Sequence, residues 1–557
     1  MIGLAWAIFV GLQPIEAFAS LVRHLRKVWS IKEKTLRAGM IVGHESPGIV
    51  LIREDSSTNS SMGDLFLLRN ENGKPAVAVA LDHVGFADGR WLRALYLSCS
   101  QFPVPLDLED VLARDILEGE AFSLHDKTIE PAVDKIAINI KRSLLGLVAP
   151  DTALGKLQIE VVRIDVNLHQ GRLVEVEVGS RRVLYQIIEG ITREEILHQK
   201  NTHGFVRAVG KKIGCWNEKS TTFDSVQWLP QPNAPVFLTP QQAIVPNREA
   251  VGHFPGTNYT VQIDPHLLVT HNAAILGVLG VGKTFLALEI VERLIEANIK
   301  VVCLDLTDQY AQQLASFYNN DFEGRCIQEL SDIGPSGRDN FKMNVAEGGS
   351  VGFFSSMVKE QLAAFLSSTC TEKLKIFNPA RFEVWRQDSK LFNNKASMAT
   401  LTPTEITRII TEAALEVLQT QGMTAQARCC LIYEEAHSLI PEWNAVANEG
   451  DKAATNGTAK AILQGRKFGL GCLVITQRTA NVTKSILNQC NTVFALRVFD
   501  STGMEFLRNY IGEDYAGVLS TLEDRHAIFF GRASSCNDPV LIQLNDREQF
   551  LHLFRAK

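Results

Sequence analysis

Hydrophobic and polar residues follow two different patterns along this chain, and the change comes near Leu267. Between Met40 and Ile191, short apolar stretches with alternating polar positions are separated by turns rich in Asn and Gly, which is typical of antiparallel strands. Beyond Leu267, apolar stretches alternate with helical segments, which is typical of a parallel α/β sheet. The sequence therefore predicts a small β-barrel or sheet followed by an α/β domain.

The α/β domain is predicted to contain five strands joined mainly by helices. A long, mostly helical insertion, at about residues 340–425, separates the second strand from the third, and its segment 356–368 has an apolar stripe at helical spacing. The predicted strands are residues 273–276, 301–304, 429–433, 472–476 and 492–498.

These patterns predict the domain organisation. A helix is expected to begin at Thr192, where a threonine cap precedes acidic residues, and the proline-rich stretch WLPQPNAPVFLTPQQAIVP is typical of a linker. The predicted regions are a hydrophobic and then basic segment at 1–35, a β-barrel domain at 36–200, a linker leading into the core at 201–265, the α/β core at 266–535, and a C-terminal tail or brace at 536–557.

The N-terminal segment 1–35 is open to three interpretations. Gln13, Pro14 and Glu16 interrupt its apolar run after roughly a dozen residues, whereas a membrane-spanning helix needs about 20. The segment is a packed helix, a membrane anchor, or a stretch upstream of a true start at Met40. We expect a cytoplasmic protein, with an inner-membrane N-terminal anchor as the alternative.

Composition narrows the classes of function. A chain of 557 residues, 46% hydrophobic and 21% charged, is typical of a globular protein with several domains. The net charge of −6 argues against a surface that is basic throughout, as in general nucleic-acid-binding proteins, but allows a local basic patch or a lined channel. The ten cysteines include no CxxC pair, so a zinc site is not expected.

A glycine-rich loop follows the first predicted strand of the core. The stretch GVLGVGKT has the pattern GxxxxGK[ST] between a strand and a helix, which is a Walker A loop. Its glycines let backbone N–H groups surround phosphate oxygens, Lys283 reaches the β- and γ-phosphates of ATP, and Thr284 binds Mg²⁺. The alternative is a glycine turn before a core helix. The predicted nucleotide-binding residues are Gly277, Gly280, Val281, Gly282, Lys283, Thr284 and Phe285.

Two adjacent glutamates end the third predicted strand, in CCLIYEE. An acid at this position of a Walker B strand usually holds Mg²⁺ through a bound water, and Glu434 occupies it. Glu435 follows and can polarise the attacking water as a general base. Aspartate is more usual at the first position, so the longer Glu434 requires an adjusted metal geometry. The alternative is a pair of solvated surface acids.

Two more residues are candidates for catalysis. Gln477 ends a strand expected to lie between the two Walker strands, where its amide would align the attacking water; the alternative is a simple turn. Arg466, in GRKFGLG, is either an arginine finger that reaches a neighbouring subunit's nucleotide or a charge that compensates a helix C-terminus. Weaker candidates for the finger are Arg478, Arg497 and Arg532.

Other charged residues have two interpretations each. Asp305 and Asp308 follow the second predicted strand and either support the site or cap the next helix. A basic group either lines a channel or forms a solvated helix face, and its members are Lys373, Lys375, Arg381 and Arg386.

Taken together, the motifs resemble the HerA branch of the HerA/FtsK ATPases. The resemblance runs from about Ala273 to Val498, with a weaker N-terminal match from about Met40. Most P-loop families lack the GRKFGLG, TQR and SILNQCNT stretches present here. The matching stretches are AAILGVLGVGKTF, VVCLDLTDQYA, LIYEEAHSLIP, GRKFGLGCLVITQR and VTKSILNQCNTVFALRV.

The resemblance implies an N-terminal HAS barrel, a RecA-like core with a helical insertion, and a homo-hexameric ring that translocates double-stranded DNA. It implies ATP and Mg²⁺ as cofactors and, as partner, a NurA-like nuclease or an antiphage effector such as a sirtuin-like enzyme. It also implies that Lys283 and Thr284 hold phosphate and Mg²⁺, that Glu435 is the catalytic base and Gln477 the sensor, and that Arg466 acts in trans.

Three functional hypotheses follow. The chain is an ATP-hydrolysing motor that translocates or unwinds DNA, or an ATP-regulated hexameric scaffold that assembles and activates an effector enzyme. The third is a membrane-linked DNA pump of the FtsK kind, which depends on a membrane span in the first residues.

Overall fold

The computed structural model describes most of the chain, which forms two compact units. The first comprises the described residues up to Cys215 together with Ser225–Pro240, and the second comprises Trp216–Asp224 together with the described residues from Gln241 onward. The segment 1–35 and its interpretations lie outside the described residues. In the described part of the chain, no helix is both long and apolar enough to cross a membrane. The described residues are 37–45, 48–55, 58–69, 75–86, 89–97, 119–124, 138–163, 166, 168–193, 205–343, 350–388, 397–442, 444 and 448–555.

Six antiparallel strands form a closed barrel at the start of the first unit. They are β1 (Arg37–Glu45), β2 (Ile49–Glu54), β3 (Leu65–Arg69), β4 (Pro75–Phe86), β5 (Gly89–Tyr96) and β6 (Glu120–Ser123), in the order β1-β2-β5-β4-β3-β6. Successive side chains of a strand point to opposite faces. Val50, Ile52 and Phe66 therefore join one buried cluster, whereas Leu65 joins a second cluster with Leu144 of the next strand. The predicted small antiparallel barrel is present.

A second closed barrel follows in the same unit. Its strands are β7 (Leu144–Val148), β8 (Lys156–Val161), β9 (Leu173–Val178), β10 (Arg181–Arg193), β11 (Phe205–Asn217) and β13 (Pro235–Leu238), in the order β10-β9-β13-β7-β8-β11. Pairing of β10 with β11 closes the ring. The end of β11 from Trp216 onward and the short β12 (Thr222–Asp224) belong to the second unit.

Two segments of this region differ from the sequence-based prediction. The proline-rich stretch predicted as a linker contains β13, in which Val236 and Leu238 are buried between β7 and β9. Pro235 begins that strand, a position where a missing N–H is tolerated. Thr192 and Arg193 do not start a helix but continue β10, and residues 194–200 lie outside the described part of the chain.

The second unit contains the remaining strands and helices. Its strands are β14 (Ala250–His253), β15 (Thr260–Gln262), β16 (Ala273–Leu276), β17 (Lys300–Leu304), β18 (Leu374–Phe377), β19 (Trp385–Asp388), β20 (Ser397–Thr400), β21 (Cys429–Tyr433), β22 (Leu470–Thr476), β23 (Thr492–Ala495), β24 (His526–Phe530) and β25 (Val540–Leu544). Its helices are α1 (Pro265–Thr270), α2 (Lys283–Glu296), α3 (Tyr310–Gln313), α4 (Asn320–Met343), α5 (Val351–Leu366), α6 (Pro403–Thr420), α7 (Ala436–Leu439), α8 (Glu449–Gly465), α9 (Lys484–Leu487), α10 (Ser501–Ala516) and α11 (Arg547–Arg555).

A ten-stranded sheet, in the order β15-β14-β25-β24-β23-β16-β22-β21-β17-β18, forms the centre of this unit. The six strands from β23 to β18 are parallel, and the other four extend the sheet in antiparallel fashion. All five predicted core strands are present, as β16, β17, β21, β22 and β23. Within residues 536–557, predicted as a C-terminal tail or brace, β25 joins the sheet and α11 follows. The parallel part is a RecA-like core.

The insertion between β17 and β21 is mostly helical, as predicted. Helix α6 begins at a capping box, because the Thr402 hydroxyl accepts a hydrogen bond from the Glu405 N–H at 3.2 Å and the Glu405 carboxylate accepts one from the Thr402 N–H at 3.0 Å. The insertion also contains β18, which adds to the edge of the central sheet, and the hairpin β19–β20.

The basic residues of the insertion do not form a solvated helix face. Lys373 and Lys375 lie at β18, and Lys375 is 2% exposed with its ammonium 2.8 Å from the carboxylate of the buried Glu323. Arg381 pairs with Asp308 at 2.6 Å. Arg386 pairs with Glu405. Lys375 is therefore excluded as a channel-lining residue, because the side chain is buried and its ammonium pairs with a carboxylate that is also buried.

Candidate functional site

The glycine-rich loop joins the end of β16 to the start of α2. Gly280 and Gly282 have φ values of 84° and 104°, a left-handed conformation that favours glycine. At Gly277 a Cβ atom would lie 2.8 Å from the Cβ of Leu496, so this position has no room for a side chain. The glycines of the sequence pattern thus occupy positions where the backbone conformation or the available space favours glycine.

Lys283 and Thr284 form the first turn of α2. Lys283 is 9% exposed, and its ammonium donates a hydrogen bond to the Val278 carbonyl at 2.6 Å. Burial lowers the pKa of Lys283, and the nearby carboxylates of Glu435 and Glu434 oppose that shift. The lysine is therefore held over the loop, close to both glutamates.

Glu434 follows the last residue of β21 and is 6% exposed. Its Oε2 accepts a hydrogen bond from the hydroxyl of the fully buried Tyr310 at 2.6 Å. Burial raises the pKa of Glu434 to about 7; the Tyr310 hydrogen bond and Lys283 lower it, and Asp305 and Glu435 raise it. Glu434 is thus an enclosed carboxylate rather than a solvated surface acid.

Glu435 has a left-handed backbone, with a φ of 53°, at the start of α7. A non-glycine residue in this conformation is strained by roughly 1–3 kcal/mol, and such strain is concentrated at functional sites. The Glu435 side chain is 26% exposed, and the Gln477 Nε2 lies 3.4 Å from both of its carboxylate oxygens. His437 Nδ1 lies 3.3 Å from Oε2. Burial lowers the pKa of His437, and Glu435 opposes that shift.

Sheet order explains why these residues meet. Strand β22 lies between β16 and β21, as predicted, and Leu276 pairs with Thr476 in parallel register. The carboxyl ends of the three strands are therefore at the same edge of the sheet. The structure brings the glycine loop, Gln477 and the two glutamates to that edge.

Arg466 lies at the opposite side of the sheet, at the amino ends of the parallel strands. It precedes β22, whereas Gln477 follows that strand. Its guanidinium donates to the Nε2 of His271 at 3.0 Å, beside a cavity of about 260 Å³ that Tyr510 also lines. The seven residues of β22 span roughly 23 Å at about 3.3 Å per residue. The chain therefore does not bring Arg466 to its own glycine loop.

The three weaker arginine candidates have different environments. The Arg497 carbonyl accepts from the Val278 N–H at 2.9 Å, and its guanidinium pairs with Asp524 at 3.0 Å, so this residue supports the loop. Arg478 and Arg532 are exposed residues that follow β22 and β24.

Asp305 is not the N-cap of α3, because Gln309 occupies that position. Its carboxylate instead accepts hydrogen bonds from the Thr307 and Tyr310 N–H groups at 2.8 and 3.0 Å and so holds the turn before the helix. Asp305 also raises the pKa of Glu434, so it affects the site. Asp308 instead bonds Asn378 and Arg381.

Sequence reasoning missed three residues around the site. Tyr310 follows Asp305 by five positions, and His437 belongs to the EEAH stretch. Both therefore lie near predicted site residues in the sequence, which is a weak indication that they contribute to the site. Arg525 had none: its N–H donates to the Val281 carbonyl at 3.1 Å, and its side chain lies against Gly282.

Residues 249–421 match the model of a protein family described as helicase HerA, central domain. The chain is similar to a probable DNA double-strand break repair helicase HerA from Methanocaldococcus jannaschii, with 28% identity over 142 residues, 25% of this chain and 27% of that protein. It is 27% identical over 117 residues to the DNA double-strand break repair helicase HerA of Pyrococcus furiosus, 20% of each chain.

These matches span about a quarter or less of the relatives' length. Among solved structures, the genome packaging NTPase B204 from Sulfolobus turreted icosahedral virus 2 in complex with AMP aligns with 50% of this chain and 100% of its own. Its identity is 13% and its TM-score 0.29, a likeness too low to support a conclusion.

Proposed function

Because the chain belongs to the HerA/FtsK superfamily of ATPases, we propose that it hydrolyses ATP at the carboxyl ends of β16, β22 and β21. We propose that it uses the free energy of ATP hydrolysis to move along double-stranded DNA. The observation that carries this proposal is the meeting of the glycine loop, the Glu434–Glu435 pair and Gln477 at the carboxyl ends of three adjacent parallel strands. A phosphate-binding loop alone would support binding; the carboxylate and amide beside it support hydrolysis.

The backbone N–H groups of the loop and the N-terminus of α2 provide a positive surface for the phosphates of ATP. The ammonium of Lys283, which bonds the Val278 carbonyl in this structure, would exchange that partner for a β- or γ-phosphate oxygen. The exposed Phe285 follows in the same helical turn and lies next to the bound nucleotide in this proposal.

The residues present fit a Mg²⁺ ion, which prefers oxygen ligands. The Thr284 hydroxyl and the enclosed Glu434 carboxylate are such ligands, and Glu434 would act through a metal-bound water. When bound, Mg²⁺ neutralises charge that develops on the phosphate oxygens. Glu434 is buried but has a pKa near 7, so a nearby cation would favour its ionised form.

Glu435 is the proposed general base. Its side chain is the more exposed of the two glutamates, and it accepts the proton of the attacking water. Gln477 contacts both oxygens of this carboxylate and would orient the water through its amide. Arg466 is proposed to act on the nucleotide of a neighbouring subunit, which requires a ring of copies.

We further propose that the ring is a hexamer, that the first barrel is a HAS barrel, and that the partner is a NurA-like nuclease or an antiphage effector. All site residues lie in the second unit, whereas the described part of the first unit contains two barrels. This separation favours a second candidate function, in which the barrels dock an effector enzyme and ATP turnover regulates it.

ATP turnover tests the proposal directly. Glu435→Gln is expected to bind ATP with near wild-type affinity but to lower kcat by 100-fold or more, in the range of general acid–base contributions. Glu449→Gln, which changes an exposed carboxylate of the same unit, is the matched control and should be unaffected. Equal kcat values for the two variants would remove Glu435 from the mechanism.

The same assay with duplex DNA separates the two candidate functions. A motor that follows the phosphate backbone is stimulated by duplex, and the stimulation weakens as salt rises. Turnover that is indifferent to duplex, together with an effector that stays bound and active with the Glu435→Gln variant, would favour the scaffold.

A further inference from the structure

Hydrogen bonds hold both the backbone and the side chain of Tyr310 in place. Asp305, which is fully buried, follows β17, and one of its oxygens accepts the Tyr310 N–H at 3.0 Å. Its other oxygen accepts the Thr307 N–H and hydroxyl at 2.8 and 2.6 Å. The turn that begins α3 is therefore held by three hydrogen bonds to one carboxylate.

This turn lies directly beside the end of the Walker B strand. Strands β17 and β21 pair in parallel, Leu304 opposite Tyr433, and the Glu434 N–H donates to the Leu304 carbonyl at 3.1 Å. The Tyr310 hydroxyl then donates to Glu434 Oε2 at 2.6 Å, and both side chains are buried. A residue 124 positions away along the chain thus contacts the acid of the proposed metal site.

We propose that Tyr310 is a positioning residue for Glu434: its hydroxyl holds Oε2 so that the second carboxylate oxygen is presented to the Mg²⁺-bound water. The inference rests on the proposed function, in which Glu434 supports the metal. It explains how glutamate can replace the usual aspartate. Glutamate has one more rotatable bond than aspartate, which gives its carboxylate more conformational freedom. A hydrogen bond from a fixed donor to one carboxylate oxygen removes that additional freedom.

A simpler role for Tyr310 is to fill space in the core. The two roles differ in what they require: packing needs the ring, whereas positioning needs the hydroxyl. Tyr310→Phe keeps the ring and removes only the oxygen. Tyr433→Phe is a matched control, because Tyr433 is also fully buried, precedes Glu434, and bonds Thr411 at 2.9 Å rather than a site residue.

Metal affinity is the readout that a packing role would not change. Binding of Mn²⁺ to each variant with ATPγS is measured by electron paramagnetic resonance, and the Mg²⁺ dependence of ATP turnover is measured beside it. Tyr310→Phe is expected to weaken Mn²⁺ binding roughly 10- to 100-fold, the usual effect of losing a partner of a metal ligand. At saturating Mg²⁺ the site is filled in both proteins, so turnover of the variant is expected to stay within about threefold of wild type. This change is smaller than the roughly 10-fold minimum loss expected for Mn²⁺ affinity. Tyr433→Phe should match wild type in both.

A second background makes the test independent of folding losses. Glu434→Asp shortens the acid so that it no longer reaches the Tyr310 hydroxyl, and in that background Tyr310→Phe should leave Mn²⁺ affinity unchanged. Two results would overturn the positioning role while leaving the proposed ATPase intact. The first is that Tyr310→Phe binds Mn²⁺ as tightly as wild type. The second is that Tyr310→Phe lowers Mn²⁺ affinity by the same factor in the Glu434→Asp background as in the wild-type background. Failure of the wild-type protein to bind Mn²⁺ with nucleotide would instead overturn the proposed function and this inference with it.

Discussion

At the scale of single residues, Glu434 is buried, although its proposed function needs the charged carboxylate. Folding encloses the carboxyl group, and the structure raises its pKa from 4.5 to about 7. The folded state therefore holds the proton more tightly than the unfolded chain does. Ionising this group costs folding free energy as pH rises above 4.5, and the cost is complete above pH 7.

Glu434→Gln removes that cost and keeps an oxygen that can accept from Tyr310. In the absence of nucleotide, the variant is expected to unfold at a higher temperature than wild type. The gain should be larger at pH 8, where the ionisation cost is about 3 kcal/mol, than at pH 5.5, where it is about 1 kcal/mol. Calorimetric midpoints at both pH values check this, with Glu435→Gln as a more exposed control. A gain that is the same at both pH values would contradict it.

Sequence reasoning reached the residues whose positions follow from strand ends. Gln477 and the two glutamates were expected together because each follows a buried apolar strand, and parallel strands present their carboxyl ends at one edge. Tyr310 and Arg525 could not be found in this way. Tyr310 had only the weak signal of its nearness to Asp305, and Arg525 had none, because their contacts with the site depend on where distant segments of the chain lie in space.

At the scale of elements, a buried ion pair joins α4 to β18. Lys375 and Glu323 are 2% and 1% exposed, and their charged atoms are 2.8 Å apart. Lys375→Met leaves Glu323 buried without its partner and should cost about 3–5 kcal/mol of unfolding free energy. The double change Lys375→Met with Glu323→Leu should recover most of that loss, because no isolated charge remains.

An exposed pair is the control for this prediction. Lys359 and Glu416 are half exposed at the same charge separation, so Lys359→Met should cost at most about 1 kcal/mol. Unfolding midpoints of the three variants decide between the cases. Equal losses for Lys375→Met and Lys359→Met would mean that burial contributes nothing to the effect.

The same elements mark the limit of prediction from sequence. Strands β16, β21 and β22 were found because continuous apolar runs are typical of strands buried on both faces. Strand β13 follows two prolines and β18 contains a lysine, so neither had that signal. Their strand conformation depends on partners that tertiary structure supplies, which is the general weakness of strand propensity.

At the scale of the whole molecule, the positions of Arg466 and Lys283 constrain how the protein can work. Arg466 lies at the amino ends and Lys283 at the carboxyl ends of the parallel strands, separated by the length of β22. An arginine that serves hydrolysis from the far edge has to serve a different copy of the chain. At that edge the Arg466 guanidinium donates a hydrogen bond to the Nε2 of His271 at 3.0 Å, away from the glycine loop of its own chain.

Mixing two inactive variants tests this directly. Arg466→Ala keeps its own glycine loop and Glu435 but offers no arginine, whereas Glu435→Gln offers an intact Arg466. Each alone is expected to assemble and to hydrolyse ATP slowly, and a mixture should regain turnover, because an Arg466→Ala site then receives an arginine from its neighbour. A mixture of Lys283→Ala with Glu435→Gln should stay inactive, since every site is defective in itself. Lys467→Ala controls for loss of a charge beside Arg466. If the first mixture is no more active than its components, Arg466 does not act between copies, and its role is to compensate the helix terminus.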